Sequence, residues 1–185
     1  MSVRREIRDG FGVWLQGELP CNRKPQRKEK DENTRRRMRE KIEVARKRGY
    51  IAPGDVRSLT NYFGVPKGTD DTRMVYDATK SGLNAAIWTP SFALPSVEAL
   101  TRQLEETTWM ADLDLGDMFL NFMLDSDLRP FCGIDLKPLF DGEEGNPVSL
   151  ERWVRCMMGL RSSPYTCVKA MMLATEIMVG DRLDP

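Results

Sequence analysis

Apolar positions change period several times along this chain, and each change predicts an element. Across residues 31–48, DENTRRRMREKIEVARKR, Met38, Ile42 and Ala45 recur every three to four residues with charge between them, the pattern of an amphipathic helix. Arg36 and Glu40, Arg39 and Glu43, and Glu43 and Lys47 stand four apart and can pair on its outer face; Asn33 is the expected N-cap and Gly49 the stop. Residues 62–66 and 73–76 are short β-favouring runs about the polar turn KGTDD, which predicts a hairpin. Ser96 opens a helix over 96–104, with Val97, Leu100 and Leu104 on one stripe. TWMADLDL, residues 108–115, alternates like a strand and ends at Gly116, so 111–115 is expected at the centre of a sheet. Residues 131–136 and 149–157 predict a second hairpin around DGEEGNP. Ser163 is the expected cap of a last helix with Pro164 at its first position, running to Val179 before Gly180, with Tyr165, Val168, Met172 and Val179 as its buried stripe. This order lacks regular βαβ alternation, so the fold class is α+β: mixed helices on a small antiparallel sheet. Residues 1–30, punctuated by Gly10, Gly12, Gly17, Pro20 and Pro25, are expected to form an irregular basic arm.

Charge sharpens the division. The chain carries 28 basic and 28 acidic groups, a net charge of zero. Residues 22–48 hold 13 basic and 5 acidic side chains, whereas residues 111–185 hold 7 and 13. A basic segment feeding an acidic half points to a phosphate-rich partner at one end and cation binding at the other. There is no histidine, which excludes Ser-His-Asp and Cys-His triads and histidine metal sites. The four cysteines, Cys21, Cys132, Cys156 and Cys167, form no CxxC pair and read as reduced core residues of an intracellular protein. No apolar run is long enough for a signal peptide or a transmembrane helix, so neither secretion nor a membrane partner is expected.

Three stretches carry chemistry. In DLDLGDMF, residues 112–119, Asp112 and Asp114 would project from one face of a strand, and paired carboxylates there suit Mg²⁺, which takes few protein oxygens and leaves room for phosphate. In MMGLRSSPY, residues 157–165, a glycine turn enters a Ser-Pro helix start, whose free N–H groups can face a phosphate. In FGVPKGTDDTRMVYDATKSGLN, residues 63–84, Lys67 and Arg73 flank a tight turn and can aim two cations at one anion.

Taken together and in this order, VPKG, RMVYDATKSGLN, WTPSFALPSVEAL, DLGDMF and GLRSSP resemble the fingers and palm of reverse transcriptases across residues 40–180. The resemblance implies a right-hand polymerase fragment, with residues 31–110 as a fingers-like segment that begins with the basic helix and residues 111–185 as a partial palm. It implies RNA-directed DNA polymerase activity of a retroelement, a nucleotidyl transfer using Mg²⁺ or Mn²⁺, an RNA or DNA template-primer and deoxynucleoside triphosphates. By position, Asp114 is the implied catalytic, metal-binding carboxylate, with Asp112 as a second metal neighbour. Lys67, Arg73, Leu115, Gly116, Asp117, Phe119, Met158 and Gly159 are implied nucleotide contacts, Phe119 as the gate against a ribose 2′-hydroxyl. Ser163 and Pro164 are implied template or primer contacts. The chain departs from the family at Met158, where glutamine is usual, and at Asp112, where an apolar residue is usual. The family's Tyr-x-Asp-Asp hairpin does not occur in residues 1–185, so this chain is expected to be incomplete, and inactive without a further palm and thumb segment. Two alternatives remain. In an RNA-directed RNA polymerase Asp112 is catalytic and Asp117, five residues on, senses the ribose; in a relic the basic arm binds nucleic acid without catalysis.

Overall fold

The structure, a computed structural model, describes residues 3–94, 96–102, 109, 114–140 and 150–179. Its first element is a helix, α1 (Val3–Asp9), where an irregular arm was expected. Arg5 and Asp9 pair along it at 3.4 Å, and Glu6, only 7% exposed, meets Lys169 at 2.7 Å. Phe11 is buried, its N–H bonded to the Met123 carbonyl. Trp14–Leu15 (β1) pairs antiparallel with Ile87–Trp88 (β5). Isolated gaps in periodicity hid these contacts, because each tertiary partner lies more than 70 residues away in the chain.

The basic helix is α2 (Glu32–Lys47), and Met38, Ile42 and Ala45 are its buried face, as predicted. Its N-cap is Asp31, not Asn33: Asp31 holds an extended backbone and accepts the Thr34 N–H at 2.6 Å, while Asn33 lies inside the first turn. Arg36 and Glu40 pair at 2.8 Å, and Glu32 meets both Arg35 and Arg39. Gly49, at φ +67°, ends the helix. Its N–H reaches the Arg46 carbonyl and the Tyr50 N–H reaches the Ala45 carbonyl, the paired bonds of a Schellman motif.

Three small antiparallel sheets carry the rest. β2 (Ile51–Ala52), β6 (Gly133–Asp135) and β7 (Leu150–Trp153) form one in the order β2-β7-β6. β3 (Asn61–Lys67) and β4 (Asp71–Asp77) form the predicted hairpin, with Tyr62 opposite Tyr76 and Lys67 opposite Asp71. The chain before it is extended but pinned: the Asn22 amide donates to the Leu59 carbonyl, and the Gln26 side chain both donates to the Tyr62 carbonyl at 2.7 Å and accepts its N–H at 3.1 Å. The second hairpin also forms, with a short helix, α5 (Lys137–Phe140), after β6 that the sequence did not signal. Between the hairpins lie α3 (Leu83–Ala86) and α4 (Val97–Thr101); Ser96 accepts the Ala99 N–H as predicted.

Two expectations need correction. Residues 110–113, with Asp112, lie outside the described residues, and Asp114 and Leu115 are exposed and unpaired rather than in a strand; β7 holds the middle place of the three-stranded sheet. The last helix, α6 (Ser163–Val179), has the predicted span but buries a different face. Thr166, Cys167 and Ala170 are buried, Tyr165 and Val168 are half-buried and Met172 is 60% exposed. The Ser163 hydroxyl donates to the Met157 carbonyl instead of capping. α1 packs on α6, where Lys169 meets Glu6. Cys132, Cys156 and Cys167 are core residues as expected; Cys21 is exposed. Among the described residues, no helix is long and apolar enough to cross a membrane.

Candidate functional site

The described part of the acidic motif, residues 114–119, forms a turn rather than a strand. Gly116 and Asp117 lead into a 3-10 turn, Met118–Asn121, and Asp117 takes the left-handed conformation at φ +53°. The Asn121 side-chain amide gathers three carbonyls, those of Gly116, Asp117 and Met118, at 3.2–3.3 Å. With the carbonyls drawn to one side, the N–H groups of Gly116 and Asp117 meet no acceptor among the described residues. Free N–H groups on a curled backbone are the chemistry of an anion cradle. The Asp117 carboxylate turns the other way, to Arg48 at 2.5 Å and the Tyr50 hydroxyl at 3.4 Å. Asp114 precedes the turn and is exposed, as are Leu115 and Gly116.

This turn forms one wall of a cleft of about 400 Å³ between α2, the β3–β4 hairpin and the 157–160 segment. Lys67, Arg73, Asp117 and Met158 all line it, so the structure brings together four of the predicted nucleotide contacts. Lys41 and Arg48 add two cations from α2 that sequence reading assigned only to a general basic face. Lys41 meets Asp71 at 3.0 Å and Lys67 meets it at 3.8 Å, while Arg73 has no carboxylate partner among the described residues. The Asp71 carboxyl is accordingly held below its ordinary value, by the Lys41 hydrogen bond first and the Thr72 N–H next. Against four cations the cleft lining has two carboxylates, Asp71 and Asp117. Tyr76, Leu120 and Trp153 give it apolar floor; Phe119 is half-buried against the core and is not part of the lining.

Met158 and Gly159 are set at the cleft by a close approach. A Cβ on Gly159 would stand 2.0 Å from the Tyr76 carbonyl oxygen, and its φ is +88°. Asn84 holds this turn from the far side, donating to the Gly159 carbonyl and accepting the Arg161 N–H, each at 2.8 Å. Ser163, buried, anchors the next turn through the Met157 carbonyl, and Pro164 is exposed beside it. Asn84 and Asn121 are the two positioning residues that sequence reading missed. Neither carries charge or periodicity; only the spacing from Asp117 to Asn121, an i to i+4 reach, was a usable signal.

No group of three or more acidic or cysteine side chains able to hold a metal occurs among the described residues. Asp114 alone offers a carboxylate beside the cradle, a donor set that fits Mg²⁺ only with phosphate oxygens as co-ligands.

No protein-family model and no curated protein matches this chain. Its fold is similar to a solved structure, a foamy viral protease-reverse transcriptase in complex with double-stranded DNA, at a TM-score of 0.66 and 18% identity over 89% of this chain. The chain spans 26% of that protein's length. The likeness defines a reverse-transcriptase-like fold of the α+β class.

Proposed function

We propose that this chain is the fingers and N-terminal palm portion of an RNA-directed DNA polymerase of a retroelement, and that the cleft receives the triphosphate of an incoming deoxynucleotide. The observation that carries this reading is the convergence of Lys67, Arg73 and Asp117 on one cleft, at a turn whose Gly116 and Asp117 N–H groups meet no acceptor among the described residues. The two cations neutralise phosphate charge and the two N–H groups orient it. Asp114, with Asp112 beside it in sequence, would hold Mg²⁺ or Mn²⁺, which when bound activates the primer 3′-oxygen and steadies the departing pyrophosphate. Leu115, with the half-buried Phe119 behind it, shapes the sugar end, Met158 and Gly159 the base end, and the exposed Pro164 faces template or primer, with buried Ser163 supporting it through the Met157 carbonyl. The pairing of Asp117 with Arg48 and Tyr50 supports this reading over an RNA polymerase, in which that carboxylate must be free to meet a ribose hydroxyl.

The basic segment supports a nucleic-acid partner, with the pinned residues 22–28 holding Lys24, Arg27 and Lys28 at a second, separate cleft beside Phe63. If about five phosphates are neutralised, duplex affinity falls with salt at a log–log slope near −4 to −5; a slope near zero removes this partner. The catalytic assignment is tested by joining the chain to a palm segment with Tyr-x-Asp-Asp and a thumb. Asp114→Asn then abolishes primer extension, Asp112→Asn costs much less, and Phe119→Ala admits ribonucleotides. The reverse pattern, with Asp112 essential and Phe119→Ala silent, transfers the chain to the RNA-polymerase reading.

A further inference from the structure

Asp117 is the only residue other than glycine at positive φ among the described residues. L-residues avoid that region, and one persists there only when its surroundings impose it. Here the surroundings are identifiable. Arg48 is the C-cap of α2 and Tyr50 follows Gly49, so the Schellman bonds fix both backbones before either side chain reaches out. The Arg48 guanidinium lies 5.9 Å from the Tyr50 ring centroid and donates to the Asp117 carboxylate. From the opposite side Asn121 holds the three carbonyls of the turn. The turn is therefore held on one hand through its carbonyls and on the other through the Asp117 carboxylate, while its N–H groups are left open.

We infer that Arg48, with Tyr50, is a positioning residue: through the Asp117 carboxylate it holds residues 116–118 in the left-handed turn that presents open N–H groups to a triphosphate. This rests on the nucleotide reading above. The salt bridge crosses from the end of the fingers-like helix to the acidic motif, 69 residues away, so the helix terminus and the phosphate cradle are set as one unit. Arg48 acts here on protein, not on the nucleotide. Its charge is already matched by Asp117, whereas Arg73 has no carboxylate partner among the described residues and remains to meet phosphate.

The test uses the 185-residue chain, labelled for NMR, with Mg²⁺–dTTP as the probe. Two quantities are read: the Asp117 HN–Hα coupling taken with its intraresidue HN–Hα NOE, which together report the sign of φ without any ligand, and the dissociation constant from amide shifts at 116–118. Arg48→Ala should move the coupling toward negative-φ conformers and weaken binding about two- to fivefold, the range of a partly exposed charged pair. Tyr50→Phe should move both in the same direction by less. Asp117→Gly keeps the N–H, removes the carboxylate and reaches positive φ without a clamp, so it serves as the background in which Arg48→Ala is repeated. Adding Arg48→Ala to Asp117→Gly should then change nothing further. Two results overturn the inference: an unchanged Asp117 coupling in Arg48→Ala, or an equal loss from Arg48→Ala with Asp117 and with Gly at that position, which makes Arg48 a direct phosphate ligand. If wild type binds no Mg²⁺–dTTP while the coupling responds as expected, the nucleotide reading fails and the clamp stands.

Discussion

Asn84 donates its side-chain amide to the carbonyl of Gly159 across 75 positions of sequence, at 2.8 Å. The same carboxamide accepts the Arg161 N–H, so both edges of the turn are closed by one side chain that is itself steadied by Thr79. Half-buried and fully used, Asn84 links the end of the β3–β4 hairpin to the entrance of α6.

Asn84→Ala should therefore cost about 1–2 kcal/mol, the scale of leaving two backbone groups without a partner. Hydrogen exchange at the Arg161 amide should accelerate more than exchange in α2. Denaturant unfolding and site-resolved exchange together check this. Equal acceleration everywhere would mean that Asn84 supports global stability without any special hold on the turn.

Gly159→Ala should be more damaging. The new methyl would sit 2.0 Å from the Tyr76 oxygen at a φ of +88°, so β4 and the turn would have to separate. We expect a loss above about 2 kcal/mol, read as a fall in the midpoint of thermal unfolding. A variant as stable as wild type would refute the close approach.

The thiols should divide by burial. Desolvation drives Cys132 well above its ordinary range and pushes Cys156 and Cys167 up to about 12, while Cys21 is exposed. At pH 8 a thiol reagent should modify Cys21 rapidly and the other three only as the chain unfolds. Rapid modification of a second thiol would contradict the core packing around α6 and β6.

Stability should fall in acid through Asp71. Its folded carboxyl lies below the ordinary 3.8 because Lys41 donates to it first, with Thr72 and Lys67 adding. A depressed carboxylate contributes stability above its unfolded value and loses it as pH falls through the folded one. Asp71→Asn should lower the melting temperature at pH 7, and the two melting curves should converge below about pH 3. A constant gap at every pH would assign the effect to packing.

Local pattern carried much of this architecture. Met38, Ile42 and Ala45 lie on one side of a helix because their spacing allows nothing else, and Tyr62 opposes Tyr76 because the three-residue turn 68–70 between Lys67 and Asp71 sets the register. Lys67 and Arg73 were recognisable as a cation pair for the same reason. What stayed hidden depends on distant partners. Two-residue strands such as Ile51–Ala52 have no period to read. Asp31 and Asn33 are both good caps, and only the backbone at Asp31 decides between them. Arg48 looked like one more charge at the end of a basic helix; its importance comes from Asp117, which local pattern could not bring beside it. Met172 was placed inside by its spacing, but Thr166, Cys167 and Ala170 are the residues that α6 buries.

Gln26 does more than tether the chain before the hairpin. Its carboxamide offers Tyr62 one donor and one acceptor, the pair a neighbouring strand residue would supply. The outer edge of β3 is thereby blunted near its start by a side chain and not by another strand. An open edge is a template for pairing with other chains, and sheets that leave one exposed are prone to aggregate. Gln26→Ala would uncover the Tyr62 N–H and carbonyl together, so its first visible effect should be self-association at high concentration, ahead of any loss of fold.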